Sequence, residues 1–491
     1  GQPCHPATWH PSCGGDGLMC DAFSHTTTCD RKQVVELCGN GINDNCQRGS
    51  DLTQGTDPRV QLIGDSDDAR ADENQLSPRL LTGANDALWA VWSTGEQCGV
   101  VDEDQRAPPA PRCETIQWHV LQGSEANTAE RNERNLSHVM FDAAGHTSGM
   151  DLMWQPDHES SVLFRRITMH EDDDLLVDGL PYTRARLATA RNGSRAVLSG
   201  VSTSNVGELV VHEVLFGQED EVNAPVSSNS SKTHVLESRP VWSWSAPEHG
   251  NLPRDIRPSS IALNDKGDTW LVAWVHRDQL YWKLEHASAP EMSPTNASSD
   301  ALITHTPEVV YLGRSWAIVY TQSYRRISSS GSELTTTTAH MILNNTGHVV
   351  QTGEINSDAR STQGSEYLFP QVTRTHKGPV IATMRERNPI SNVPFGLRAY
   401  RPRGTVTRLS SPHPLRASHD EQLRTFFPFT QRRPFDVHGF GPIDASSSAS
   451  NQPEFYAVWS YARSGGRWRL MGSKITLAPD RTILKTSCLP W

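Results

Sequence analysis

The chain has 491 residues, of which 36% are hydrophobic and 21% charged, and a formal net charge of −11. That composition supplies enough apolar mass for a large core and excludes global disorder. The acidic balance argues against nucleic acid, which needs clustered Lys and Arg, and gives no polybasic attraction to lipid. No run of about 18 apolar residues is present to span a bilayer.

The chain opens GQPCHPATWHPSC, with neither a charged n-region nor an apolar h-region. We read it as a mature N-terminus from which a signal peptide has been removed, because of the cysteines. Cys4, Cys13, Cys20, Cys29, Cys38 and Cys46 crowd the first 46 residues, and Cys98, Cys113 and Cys488 follow. Structural zinc sites space paired ligands two to four residues apart. The wider intervals here favour disulfides in an oxidising compartment, with the pairing left open. Residues 1–57 are therefore expected to form a disulfide-stapled module and 58–491 a second domain. Cys98 and Cys113 flank a polar, Pro-rich excursion, GVVDEDQRAPPAPR, and are expected to staple a long hairpin loop.

Within the module, residues 37–51 read LCGNGINDNCQRGSD. Asn40, Asn43, Asp44 and Asn45 concentrate oxygen donors in a Gly-containing turn between Cys38 and Cys46. Such a loop suits Ca²⁺, which takes six to eight oxygen ligands. The same residues also read as an Asx turn bonded to its own backbone. The stretch resembles the C-x-N-G-x-D-[DN]-[DN]-C element of MopE-type proteins of methane oxidisers and of myxobacterial surface lipoproteins. In those families the element is described as metal-binding. The resemblance implies a cell-surface protein with a metal loop at Asn40, Asn43, Asp44 and Asn45. This copy departs from the pattern at Asn43, where Asp is common, and at Gln47-Arg48-Gly49, and fewer carboxylates mean weaker calcium binding. MopE-type proteins include copper binders. The resemblance reaches no residue that would carry copper here, and Trp274-Val275-His276 is not assigned as a copper site.

From residue 77 onward one unit recurs: an alternating strand, a Gly/Asn/Asp turn, then a strongly apolar strand. In chain order the units are 77–92, 137–154, 181–200, 257–286, 306–320, 369–383 and 442–459. The clearest, residues 257–286, predicts strands over Ser259–Leu263, Thr269–His276 and Gln279–Glu285, with a turn over Asn264–Asp268. Aligning the second strands matches Trp92, Trp154, Gly200, Trp274, Tyr320, Thr383 and Trp459, and the third unit lacks the aromatic.

A unit with one apolar strand cannot bury it alone, whereas stacked sheets around an axis bury both faces of the inner strands. The expected fold is thus all-β, a seven-bladed β-propeller. Six or eight blades and a β-sandwich are the alternatives. No sustained i, i+3, i+4 stripe supports helices. The strand Arg59–Ile63 is expected to close the ring beside Ser473–Leu477, which would bring Cys488 near the module.

Catalytic motifs are missing: no G-x-S-x-G elbow, H-E-x-x-H, P-loop or G-x-G-x-x-G after a strand. Asp265-Lys266-Gly267-Asp268-Thr269-Trp270 resembles the D-x-G-x-T-W core of the Asp box of sialidase-like propellers, where the box is a structural turn. The acidic runs Asp65–Glu73 and Glu171–Asp174 are read as solvated loops that could also chelate calcium. These features point to a non-catalytic extracellular or periplasmic scaffold that presents propeller loops to protein subunits or glycans. A glycan-active propeller and a copper- or calcium-handling surface protein are the alternatives. An arginine or carboxylate cluster at the channel mouth would favour the glycan enzyme.

Overall fold

The computed structural model describes residues 18–21, 26–29, 61–62 and, between 73 and 485, the strands and most short turns. Seven antiparallel blades stand around one axis. Their innermost strands are Asn74–Thr82, the second half of Asn132–His146, Tyr182–Thr189, Ser260–Leu263, Glu308–Tyr311, Glu366–Thr375 and Phe435–Gly439. Each touches the next, and the seventh touches the first, so the ring is closed.

The second strand of blade 4 shows why this sequence makes a propeller. All of Trp270–His276 is buried. Trp270, Val272 and Trp274 join the apolar cluster shared with blade 3. Leu271, Ala273 and Val275 join the one shared with blade 5. A strand points successive side chains to opposite faces, so a continuous apolar run requires a sheet packed on both sides. The next blade repeats this, with Trp316, Ile318 and Tyr320 facing blade 4 and Ala317 and Val319 facing blade 6.

The seven positions matched in sequence fall at one register. Trp92, Trp154, Gly200, Trp274, Tyr320, Thr383 and Trp459 each follow the residue that pairs with an equivalent inner-strand residue. The missing aromatic of blade 3 has a steric reason. A Cβ at Gly200 would lie 2.8 Å from the Cβ of Tyr182, so Tyr182 fills that space from the inner strand.

Two features were not foreseen. Asn132–His146 is one continuous strand that serves two blades: Asn132–His138 pairs with the third strand of blade 1, and His138–His146 with the second strand of blade 2. The inner strands of blades 1, 3 and 6 carry register shifts with left-handed residues, Ser77, Arg184 and Phe369, each two positions before the register point described below.

Ring closure follows expectation, with a shifted register. Gln61 pairs with Gly472 and Leu62 with Met471, so the N-terminal strand completes blade 7. It does not lie along Ser473–Leu477, where Thr476 and Leu477 pair instead with Lys485 and Leu484. Cys98 and Cys113 form the expected disulfide. Of residues 1–57, the strands Leu18–Asp21 and Thr26–Cys29 are described and pair antiparallel. The Asn40–Asn45 turn, Cys4, Cys13, Cys38, Cys46, Cys488 and both acidic runs apart from Glu73 lie outside the described residues.

In blade 5 the second and third strands, Ser315–Ser328 and Gly331–Asn344, pair to their tips at Ser328 and Gly331. The inner strand reaches only Val319, the short strand Leu302–Ile303 only Ser323, and the outer strand Val349–Glu354 only Ala339. Beyond these points, among the described residues, the hairpin runs on as a two-stranded arm.

Candidate functional site

Each inner strand places one polar residue at the same register: Arg79, Asp142, Arg186, Ser260, Glu308, Gln371 and Asp436. Their pairing partners are Val91, Met153, Ser199, Ala273, Val319, Ala382 and Val458. Because inner strands converge on the axis, these side chains form a polar ring.

The ring uses its acceptors to join blades. Asp142 Oδ2 accepts from the Leu187 N–H of blade 3 at 3.0 Å, and Oδ1 from the N–H of Ala143 at 3.0 Å. Asp436 repeats the arrangement, accepting from the Leu80 N–H of blade 1 at 2.8 Å and from Val437 at 3.0 Å. Ser260 Oγ does the same for the Val309 N–H of blade 5 at 3.2 Å. In each case a side chain reaches the backbone one residue past the next blade's ring member. Arg79 donates from Nε to Asp142 at 2.5 Å and from Nη2 to the same oxygen, and its Nη1 lies 3.9 Å from Asp436.

The electrostatics are those of a crowded, desolvated cluster. Burial would lower the pKa of Arg79, but Asp142 and Asp436 outweigh it and hold the guanidinium charged. Burial pushes Glu308 up to about 8 against the pull of Arg79 and Arg186, so it carries a proton at neutral pH. Burial also raises Asp436, lowers Arg186 and lowers the neighbouring His438. Arg79 and Glu308 keep part of their surface in solvent.

The turns after the inner strands are tied across intervening blades. Arg191 of blade 3 pairs with Asp86 of blade 1 at 2.6 Å. Arg374 of blade 6 reaches Asp265 of blade 4 at 2.8 Å, passing over Gly313 of blade 5. A Cβ at Gly313 would meet that guanidinium at 2.7 Å. The D-x-G-x-T-W segment is this blade 4 turn: Asn264 Nδ2 and Thr269 Oγ1 donate to Asp268 Oδ1 at 2.6 and 3.0 Å. The segment joins the first two strands of blade 4.

Away from the axis, buried ion pairs lock neighbouring blades. Asp151 accepts from Arg166 at 2.7 and 2.9 Å and from Thr189 of blade 3 at 2.8 Å. Arg166 also donates to the Gly193 carbonyl at 2.6 Å and lies over the Phe216 ring. Burial alone would raise Asp151, but Arg166 holds it far below the usual carboxylate range. Arg195 joins Glu213 of its own blade to Glu285 of blade 4.

The chemistry-bearing ring was not assigned from sequence. The signal was there: one polar residue heads the apolar part of each inner strand, as in PRLL, FDAA, ARLA, SIAL, EVVY, QVTR and FDVH. Among the described residues no cluster of three or more His, Cys, Asp or Glu could hold a metal ion. The proposed ligands Asn40, Asn43, Asp44 and Asn45 lie outside them.

No family model and no curated protein matches the chain. Solved structures that are similar include two β-propeller domains. One is the β-propeller domain of the trilobed protease from Pyrococcus furiosus, 8% identical with a TM-score of 0.40, covering 81% of this chain and 93% of that one. Another is the Cps50 (Swd1) β-propeller domain from Myceliophteria thermophila, 10% identical, TM-score 0.38, with 82% and 100% covered. A third is the α-L-arabinofuranosidase Arb93A from Fusarium graminearum, 10% identical, TM-score 0.39, with 68% and 92% covered. This likeness concerns fold alone. The chain is an all-β, seven-bladed propeller.

Proposed function

We propose that the protein is a non-catalytic, exported binding scaffold that presents its propeller loops to protein or glycan partners in a cell-surface assembly. The observation that carries this reading is how the axial carboxylates are used. Asp142 and Asp436 each hold two backbone N–H groups, one of them on the next blade, and both face Arg79. Carboxylates committed in this way join blades and are poorly placed to act as nucleophile or base. Binding is then left to loops on a rigid frame, the usual division of labour in such folds. The blade 5 arm is the first candidate surface, since a two-stranded ribbon leaves edge N–H and C=O groups for a partner strand. Calcium in the Asn40–Asn45 turn belongs to the same proposal. Isolation from the native source, with and without residues 324–335, tests it. A stoichiometric partner lost with the arm supports the scaffold, and a lone monomer in both preparations contradicts it.

A second reading has one observation in its favour. Burial holds Glu308 protonated near the carboxyl groups of Asp142 and Asp436, and glycoside hydrolysis uses an acid of raised pKa beside a second carboxyl group. Turnover of chromogenic glycosides that disappears in Glu308→Gln would establish it.

A further inference from the structure

We propose that the axial ring is a binding site for a small carboxylate anion, seated between Arg186 and Ser260. Arg79 and Arg186 hold the same register in blades 1 and 3. The blade after Arg79 supplies the carboxylate of Asp142, which takes two hydrogen bonds from the guanidinium. The blade after Arg186 supplies at that point only the hydroxyl of Ser260.

Arg186 is 5% exposed, and its Nε has no hydrogen-bond partner. Asp142, Glu308 and Asp436 act on it only through space. Leaving a buried guanidinium without a bonded counter-ion is costly, and burial correspondingly weakens its hold on the proton. The nearby carboxylates are not free to serve. Asp142 is held by Arg79, Leu187 and Ala143, and Asp436 by Leu80 and Val437.

What this half of the ring lacks, relative to the other, is one carboxylate. An incoming carboxylate would accept from Arg186. Ser260 Oγ already accepts from Val309 N–H, so its own hydrogen remains to donate to the anion. Glu308, protonated at neutral pH, and Gln371 complete the polar arc. A dianion such as phosphate fits poorly, because the carboxyl groups of Asp142 and Asp436 already face the two arginines of the ring. Arg79 and Glu308 are partly exposed, which gives solvent access to the ring. The site stands apart from whatever the loops bind.

The test uses the full chain and acetate as the probe, at constant ionic strength. The unfolding midpoint is followed against acetate, and saturation transfer to the acetate methyl is read by NMR. The wild type is expected to show a saturable rise in midpoint and a transfer signal, with inorganic phosphate much weaker. Arg186→Met should lose both responses. Ser260→Asp supplies the missing carboxylate internally. It should lose the acetate response while unfolding at or above the acetate-free wild-type midpoint, which separates an occupied site from a misfolded one. No saturable acetate response in the wild type, a stronger response to phosphate, or an acetate response that survives in Ser260→Asp would overturn the proposal.

Discussion

The Leu80 N–H donates to Asp436 at 2.8 Å across 356 residues of sequence, which joins the first blade to the last. Gln75 adds a second bond over the same seam, accepting from the Leu470 N–H at 2.9 Å. Asp436→Ala removes the acceptor, strands the buried N–H groups of Leu80 and Val437 and takes one of two counter-charges from Arg79. The expected loss is about 3 kcal/mol, read as a shift in urea midpoint. Because Arg79 and Asp142 form one network, Arg79→Met with Asp142→Leu should be less destabilised than Arg79→Met alone, which leaves carboxylates buried without their cation.

Stability should bend at both ends of the pH scale. The pKa of Glu308 in the folded chain is raised to about 8 from an ordinary 4.5. The folded state binds the extra proton, so this group's contribution is full below 4.5 and is lost as pH rises to 8. His212 and His340 are lowered by burial to about 4 from 6.5. Their unfolded forms bind the extra proton, so their contribution is full above 6.5 and is lost as pH falls towards 4. Glu308→Gln should remove this group's downward contribution between about pH 4.5 and 8 and leave the fall below pH 4.5 unchanged in a series of thermal midpoints.

Gly200 is, with Thr383, one of two matched positions without the aromatic, and restoring it at Gly200 should do harm. Even Ala places a Cβ 2.8 Å from Tyr182 Cβ and 3.2 Å from Ala185 Cβ. Gly200→Ala is expected to cost about 1–3 kcal/mol, and Gly200→Trp, the consensus choice, more. Trp274→Ala, by contrast, empties a fully buried site in blade 4 and should cost about 3–5 kcal/mol. Denaturant midpoints of the three variants rank these effects.

The Cys98–Cys113 disulfide closes a loop with a sequence separation of 15. A loop of that size contributes about 3 kcal/mol through the unfolded chain. The double Cys→Ser variant should unfold at correspondingly lower denaturant, and mild reductant should reproduce the shift in the wild type.

The architecture was readable because propeller strands are buried on both faces. Runs such as WLVAWVH cannot belong to a surface strand, and aligning Trp92, Trp154, Trp274 and Trp459 fixed the register of all seven blades. Gly200 was matched correctly even though its aromatic is replaced from the neighbouring strand by Tyr182, a compensation visible only in three dimensions. The shared strand Asn132–His146 was hidden because a strand that changes blades keeps its periodicity. The ring was hidden for a different reason. Arg79, Asp142 and Asp436 are far apart in sequence, and one polar residue at the head of an apolar strand looks like an ordinary boundary until seven of them meet on an axis.

The most direct test of the scaffold reading is cross-linking mass spectrometry on the native assembly, set beside the same preparation lacking residues 324–335. The account predicts a stoichiometric partner whose cross-links fall on the arm and neighbouring loops and vanish with the deletion, while the thermal midpoint of the propeller is unchanged. A monomer without a partner, joined by a glycosidase activity that Glu308→Gln abolishes, would contradict it and make the axis the working site.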